Sequence, residues 1–519
     1  MKVLLVTGRL AEETVKDYAK QASVETEIVA LNYPVAAFLN SETITAGLKN
    51  RDLKGFDVIL TPGLSRGDTK VITDALGVPT FKGPRYAADL PTVLEELCKV
   101  QLSTTIPACD LLRDILTEKA LKEIENAEQN REELLKQSGS MLIKNLAVGK
   151  DFPMRVMAEI VDAALMGDEE IQFLAKKFVA QGAHVIDVGM IAGKSDPETA
   201  QRIVKAVKAV VDVPVSIDTL NPPEIQAAVQ AGADLILSLD AGNIDQLATF
   251  ATDIAVVIIP TNQREGYFPK NAQDRVQLTE ELIAKARMLG FKRVMADLIL
   301  EPSNILESFI AFKEFGAKHP DVPLFVGVAN VTELFDADSI GINALLARLS
   351  AEVNASMMLA TEKSCKAKGT VKEEVAAAKM MYLAKKRGSV PKDLGIDLLV
   401  LKDKRSREEP YNVDLEKETP ATLAEGENLP EELDSAGMFK VSLDRKNGLI
   451  AALLYADASM NKPIKIVKGK TAEAIYTKIV QLGLVNRLDH AAYLGNELSK
   501  AEIAIETGKE YIQDKELFK

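Results

Sequence analysis

Cysteine is scarce in this chain: three occur in 519 residues (Cys98, Cys109 and Cys365), far apart and never as a Cys-x-x-Cys pair. That excludes a disulfide framework and a cysteine-rich zinc or iron–sulfur site, and it suits a reducing, cytoplasmic setting. Positive charge is also in deficit, with 63 Lys and Arg against 76 Asp and Glu and a formal net charge of −13. A chain so balanced repels phosphate backbones, which argues against a nucleic-acid partner. No stretch reaches the roughly 18 consecutive apolar residues of a membrane span. The opening MKVLLVTGR is apolar for only a few residues and lacks a cleavage-like site, so neither secretion nor membrane insertion is expected. The phosphate-loop patterns GxGxxG and GxxxxGK[ST] are missing too.

What is present is the composition of a globular protein, 47% hydrophobic and 27% charged, and a length that predicts two to four domains. Residues 1–105 alternate β-branched runs (KVLLVTG, ETEIVAL, DVILTPG, VPTFKGP) with amphipathic stretches and read as a small open α/β domain. Gly8, Gly63 and Gly67 follow those strands, either as phosphate-holding loops or as ordinary turn glycines. Residues 106–150 read as a linking helix, charged and single-faced from Leu111 to about Lys144. Over residues 151–400, eight short apolar runs recur with helical stretches between them: MRVMAEIV, HVIDVG, VPVSIDT, DLILSLD, AVVIIPTN, RVMADLIL, VPLFVGV and ASMMLATE. Strands so uniformly apolar are buried on both faces, and eight βα units in series predict a TIM-type (β/α)8 barrel, with an open doubly wound sheet as the alternative. A Glu-, Pro- and Asn-rich stretch predicts a linker over 401–432, and residues 433–519 read as a small α+β domain.

In such a barrel the site forms where the strands end, so the polar residues closing each run are the candidates. They are Glu159 and Asp162, Asp187, Asp218 and Thr219, Asp240 and Asn243, Thr261 and Asn262, Asp297 and Glu301, Asn330 and Thr332, and Thr361 and Glu362. A ring of carboxylates and amides with few cations suits a neutral heterocycle rich in N–H donors, such as the 2-amino-4-oxo ring of a pterin. Asp162, Asp187 and Asn243 equally fit helix caps or Asx turns. Asp218 and Asp297 lie within or beside strongly apolar runs, where a charge is costly without a partner. Arg264 and Lys270 after strand five, and Lys363 after strand eight, either clamp a phosphate or second substrate or are solvated loop charges. Of the three histidines, His184 and His319 read as structural, and His490 as a cap or core residue rather than a metal or corrinoid ligand.

From about Met154 to Glu362 the chain resembles the pterin-binding superfamily of dihydropteroate synthases and methyltetrahydrofolate-type corrinoid methyltransferases, and most of all the archaeal dihydropteroate synthase-related proteins. The motifs are AEIVDA with GDEEI, GAHVIDVG, VPVSIDT with AAVQAGADLILSLDAGN, ADLILEP, and GVANVTEL with DADSIGINALLA. The resemblance implies that Asp218 and Asp297 grip a reduced pterin, with Asp240, Asp187, Asn243 and Asn330 around it, and that Asp218 and Asn330 serve the reaction. Three functions follow from it. One is joining a dihydropterin to an arylamine in folate or tetrahydromethanopterin biosynthesis, where Mg²⁺ helps the pyrophosphate leave. A second is methyl transfer from a methyl-tetrahydropterin to a corrinoid, with a corrinoid protein as partner; a homodimer is the other partner arrangement expected of the chain. The third is pterin binding without catalysis. Two departures from the synthases stand out: Leu239 where they have asparagine, and Ala329-Asn330-Val331 where they have Ser-Arg-Lys. Asn330 instead matches the asparagine of the methyltransferase segment GxSNVS, although no DxHxxG cobalamin motif is present.

Overall fold

Apolar runs of four to seven residues, separated by glycine turns and amphipathic stretches, set up alternating strands and helices, and the computed structural model shows how they close. It describes residues 1–402, 433–457 and 459–518 with parts of 411–424, so most of the linker expected over 401–432 lies outside the described residues. At the N-terminus, β1 (Lys2–Gly8), β2 (Glu25–Leu31), β3 (Val58–Thr61) and β4 (Thr80–Lys82) form a parallel sheet in the order β2-β1-β3-β4. Gly63 there is a packing glycine, because a Cβ would lie 2.6 Å from the Gly83 carbonyl oxygen.

Two helices, Arg113–Gln129 and Arg131–Leu135, lead toward the barrel. The expected helical link stops there. Residues 140–149 are instead a hairpin of β5 (Ser140–Ile143) and β6 (Leu146–Gly149), turning at Lys144, whose φ is +54°. The amphipathic pattern before it hid the hairpin, which is too short to show a period of its own. Its Ile143 and Val148 are fully buried and join the barrel's interior cluster, closing one end of the barrel. Arg155 pins the junction: its Nε donates to the Ala147 carbonyl at 2.7 Å and its Nη1 pairs with Glu128 at 2.5 Å.

The barrel itself consists of β7 (Arg155–Ile160), β8 (Val185–Gly189), β9 (Val215–Asp218), β10 (Leu235–Leu239), β11 (Ala255–Ile258), β12 (Val294–Ala296), β13 (Leu324–Val326) and β14 (Ala355–Thr361). All pair in parallel and β14 returns to β7, so no edge is left open. Side chains alternate along the strands, apart from register shifts at Leu237/Leu239 of β10 and Leu324/Phe325 of β13. Met157, Val185, Leu235, Val257, Met295, Phe325 and Met357 point inward, while Val156, Ile186, Ile217, Ile236 and Val326 face the helices. The inward positions nearest the hairpin are apolar and those at the strands' far ends are polar, which places all the chemistry at one mouth.

The C-terminal unit is an antiparallel meander of β15 (Met438–Asp444), β16 (Leu449–Tyr455) and β17 (Lys465–Gly469), with helices Ala472–Gln481 and Leu488–Thr507 packed on it. It approaches the barrel at Phe173, under the Lys446 ammonium 5.6 Å from the ring centroid. Among the described residues no helix is long and apolar enough to cross a membrane.

If the hairpin is part of the barrel core, Ile143→Ala should lower the stability of the barrel's unfolding transition by about 2–4 kcal/mol. Urea denaturation followed by tyrosine fluorescence and circular dichroism measures this; a loss near zero would mean the hairpin merely lies against the barrel.

Candidate functional site

At the open mouth, register brings three acids together. Glu159 is paired with Asp187 across β7 and β8, and Gly189 with Asp218 across β8 and β9. One carboxylate oxygen from each of Glu159, Asp187 and Asp218 lies within 4.8 Å of the others. Gly189 makes the room, since a Cβ there would sit 2.8 Å from Glu159 Oε1. Asp187 is fully buried, and no donor reaches either of its oxygens in good hydrogen-bond geometry, although the buried Ser216 hydroxyl, next to it in register, and the Val188 N–H lie close enough to favour its charge. Burial and mutual repulsion hold all three toward the protonated form. Glu159 is raised to about 8 by burial, then by Asp218 and Asp162, and Asp218 to about 6 by burial. Asp187 is pushed well above the ordinary carboxylate range by burial and by the charges of Asp218 and Glu159.

Asp297 closes β12 on the other side of the mouth. It is 7% exposed, and burial raises its carboxyl to about 7, against the opposing pull of the Ile299 N–H and the Arg275 charge. Oδ1 accepts from Ile299 N at 2.8 Å, and among the described residues Oδ2 has no partner. Ile299 has φ +63°, a costly conformation for a β-branched residue, yet both its backbone groups are held: its N–H by Asp297 and its carbonyl by Arg275 Nη1 at 2.9 Å. Arg275 is itself fully buried. It also donates to the Pro269 carbonyl, to Ser308 Oγ and, at 2.5 Å, to Glu301, and it stacks over Phe268. This arginine braces the loops after strands five and six. Sequence reasoning missed it because it lies inside helix Ala272–Met288 rather than at a strand end. Beside this brace is an open cavity of about 410 Å³ lined by Thr261, Gln263, Gly266, Tyr267, Phe268 and Ile299.

Two residues expected at the ligand instead hold a loop together. Asp240 accepts from Gly242 N, Thr261 Oγ1 and Gln263 N at 2.8–3.0 Å, and Asn243 caps it by accepting from Asp240 N and donating to Leu220 O and Ser238 O. With both carboxylate oxygens of Asp240 and both ends of the Asn243 amide engaged, the two are loop braces, the Asx-type reading already open for Asn243. The expected cations do not converge either. Arg264 reaches Gln246, Lys270 lies 3.9 Å from Glu301, and Lys363 pairs with Asp162 at 2.7 Å on the far side of the mouth. Glu362 is buried in an ion pair with Lys177, and Thr332 is tied to Asn343. Glu333, which strand-end reasoning passed over, gathers Thr361 Oγ1, Lys363 N and Ser364 N and so shapes the strand-eight loop. Asn330 stays exposed at the mouth, its Nδ2 donating to the Leu300 carbonyl at 3.2 Å.

The histidines are structural. His184 Nδ1 accepts from Val156 N, and burial pushes the ring down to about 3, so it stays neutral. His319 pairs with Glu280, and His490 with Asp434 at 2.9 Å. A larger cleft, about 700 Å³, lies between the N-terminal domain and helix Thr370–Arg387, but the carboxylate ring is at the barrel mouth.

Family models match three segments of the chain: a family of unknown function over residues 1–85, the pterin binding enzymes over 162–370, and the PterinBD-DUF4346 family over 433–514. An uncharacterized protein of Methanocaldococcus jannaschii is 41% identical over 536 residues, covering 100% of this chain and 99% of its own length. The dihydropteroate synthase of Streptococcus pyogenes is 33% identical over 109 residues, which is 19% of this chain and 41% of that enzyme. A Yersinia pestis dihydropteroate synthase solved with a pterine-sulfa conjugate aligns over 48% of this chain and 99% of its own, at 18% identity and a TM-score of 0.38. The chain belongs to the family of the M. jannaschii protein, and its barrel to the pterin-binding superfamily of dihydropteroate synthase-like proteins.

Proposed function

We propose that the barrel mouth binds a reduced pterin and that the chain is a dihydropteroate synthase-like transferase. Its reaction would join a dihydropterin to an arylamine in making folate or tetrahydromethanopterin. The observation that carries this reading is Asp297, a buried carboxylate with one oxygen held by a backbone N–H and the other unpartnered among the described residues, beside an aromatic-lined cavity. When ionised, it accepts paired N–H bonds from a 2-amino-4-oxo ring, while Tyr267, Phe268 and Ile299 cover the ring's apolar surface. In the reaction the arylamine nitrogen attacks the exocyclic carbon. The C–N bond forms as the C–O bond breaks, pyrophosphate leaves with the electron pair, and the nitrogen's surplus proton passes to water at the open mouth.

A second reading, methyl transfer from a methyl-tetrahydropterin, is favoured by one observation: Asn330 is exposed at the end of the seventh strand with an amide beside the Asp297 loop. A hydrogen bond there stabilises the amine that departs from the methyl group.

Replacing Asp297 with Asn removes the charge and one acceptor pair, so calorimetric affinity for a reduced pterin should fall roughly 10- to 100-fold. In the parent chain, Asp297 loses its proton near pH 7 instead of near 4, and only the ionised form accepts both N–H groups. The part of the affinity that Asp297 supplies should therefore weaken by roughly tenfold per pH unit below 7 and level off above it, and the Asp297→Asn chain should lose the inflection near 7 while keeping whatever Asp218, raised to about 6, and Glu159, raised to about 8, contribute. Unchanged affinity in the variant would place the pterin elsewhere.

Titration with dihydropterin pyrophosphate and, separately, with a methyl-tetrahydropterin separates the two reactions. Preference for the pyrophosphate, with product formed when an arylamine is added, supports the synthase reading. Preference for the methylated compound, reduced in Asn330→Ala, moves the assignment to methyl transfer.

A further inference from the structure

We propose that Arg275, buried inside helix Ala272–Met288, is a positioning residue for the ring-binding site: its guanidinium fixes the Asp297 carboxylate and the wall beside it as one unit. The inference rests on the pterin reading for the identity of the ring alone. The coupling itself stands on the contacts of the arginine.

Arg275 reaches two loops and a neighbouring helix at once. Nε donates to the Pro269 carbonyl at 3.1 Å, and the guanidinium carbon lies 4.7 Å from the centroid of the adjacent Phe268 ring, which lines the cavity. Nη1 donates to the Ile299 carbonyl at 2.9 Å and to Ser308 Oγ at 3.0 Å, and Nη2 to Glu301 Oε2 at 2.5 Å. Ser308 Oγ in turn accepts from Glu301 N at 3.0 Å, so the segment from Ile299 to Glu301 is held at both ends. A lysine could not replace this fork, because three donors on one nitrogen do not span acceptors on separate loops.

Ile299 is where the bracing bears on the ligand. Its φ of +63° lies in the left-handed region, which is costly for a β-branched residue and persists only where neighbours hold it. Without the Arg275 bond to its carbonyl, the peptide relaxes toward negative φ. The Ile299 N–H then leaves Asp297 Oδ1, to which it donates at 2.8 Å, and the carboxylate loses the bond that fixes its orientation. Ile299 also lines the cavity, so wall and acid move together. Asn330 Nδ2 still donates to the Leu300 carbonyl at 3.2 Å, so loss of the arginine loosens this turn without freeing it.

The test is amide hydrogen exchange on the full chain, with thermal unfolding to check that each variant folds. In Arg275→Lys the Ile299 amide should exchange at least roughly tenfold faster, while the amides of Val257 and Met295 in the barrel interior keep the parent rates. An arginine that only stabilised the fold would speed all of them alike. Calorimetric affinity for a reduced pterin should fall roughly tenfold in the same variant. Ile299→Gly supplies the rescue, because glycine takes positive φ without strain: added to Arg275→Lys, it should recover about threefold of that affinity. Ser308→Ala is the milder variant, leaving the arginine in place, and should speed exchange at Ile299 by about threefold. Exchange at Ile299 that is unchanged in both Arg275→Lys and Ser308→Ala, or raised equally throughout the barrel, overturns the inference, as does a double variant whose losses simply add. A parent chain that binds no reduced pterin sinks the pterin reading and leaves the exchange rates to decide this one. A parent that binds, with Arg275→Lys binding equally well, sinks this inference alone.

Discussion

Closure of the parallel barrel is the constraint on which everything else depends. With β14 paired to β7, no strand has a free edge, and alternate side chains of all eight strands must share one interior. Apolar residues fill that space from the hairpin plug upward, so a polar group can be accommodated only in the last layer before the mouth. Glu159, Asp187, Asp218 and Asp297 occupy that layer, and their perturbed ionisation is the cost of placing four carboxyls where few protein donors reach them.

The acids divide by how they are satisfied. Asp240 takes donors from its own loop and from the loop after strand five and has become part of the scaffold, whereas Asp297 has one oxygen bonded and one open, and no donor meets Asp187 in good hydrogen-bond geometry. A ligand gains most where the protein has left acceptors vacant, because the protein has already borne their desolvation. The loops that frame these vacancies are rigid for an identifiable reason: buried Arg275 joins the loops after strands five and six, and Glu333 holds the loop after strand eight.

The flanking domains are fastened away from that layer or beside it. The N-terminal sheet is tied to the helix that follows the last barrel strand, through Tyr18 to the Arg387 carbonyl and Asp89 to the Arg387 guanidinium. The C-terminal meander meets the barrel at Phe173, and Gly508 packs against Lys368 just beyond the strand-eight loop. The mouth chemistry thus sits in the barrel, with the C-terminal unit on its strand-eight flank.

By itself the sequence determined the eight barrel strands, because residues buried on both faces must be apolar throughout and leave runs that can be read directly. It also determined which residues end those strands, and so the candidate ring, including Asp218 and Asp297. The hairpin at 140–149 was not legible, since ten residues with a single turn show no period and their burial comes from a barrel formed later in the chain. Nor was Arg275, whose place inside a helix says nothing of the two loops it joins. Only the tertiary structure separated Asp240 and Asn243 from Asp187, Asp218 and Asp297. In the sequence each is a polar residue near a strand end, and whether its oxygens are already occupied depends on neighbours that the fold brings in from other strands and loops.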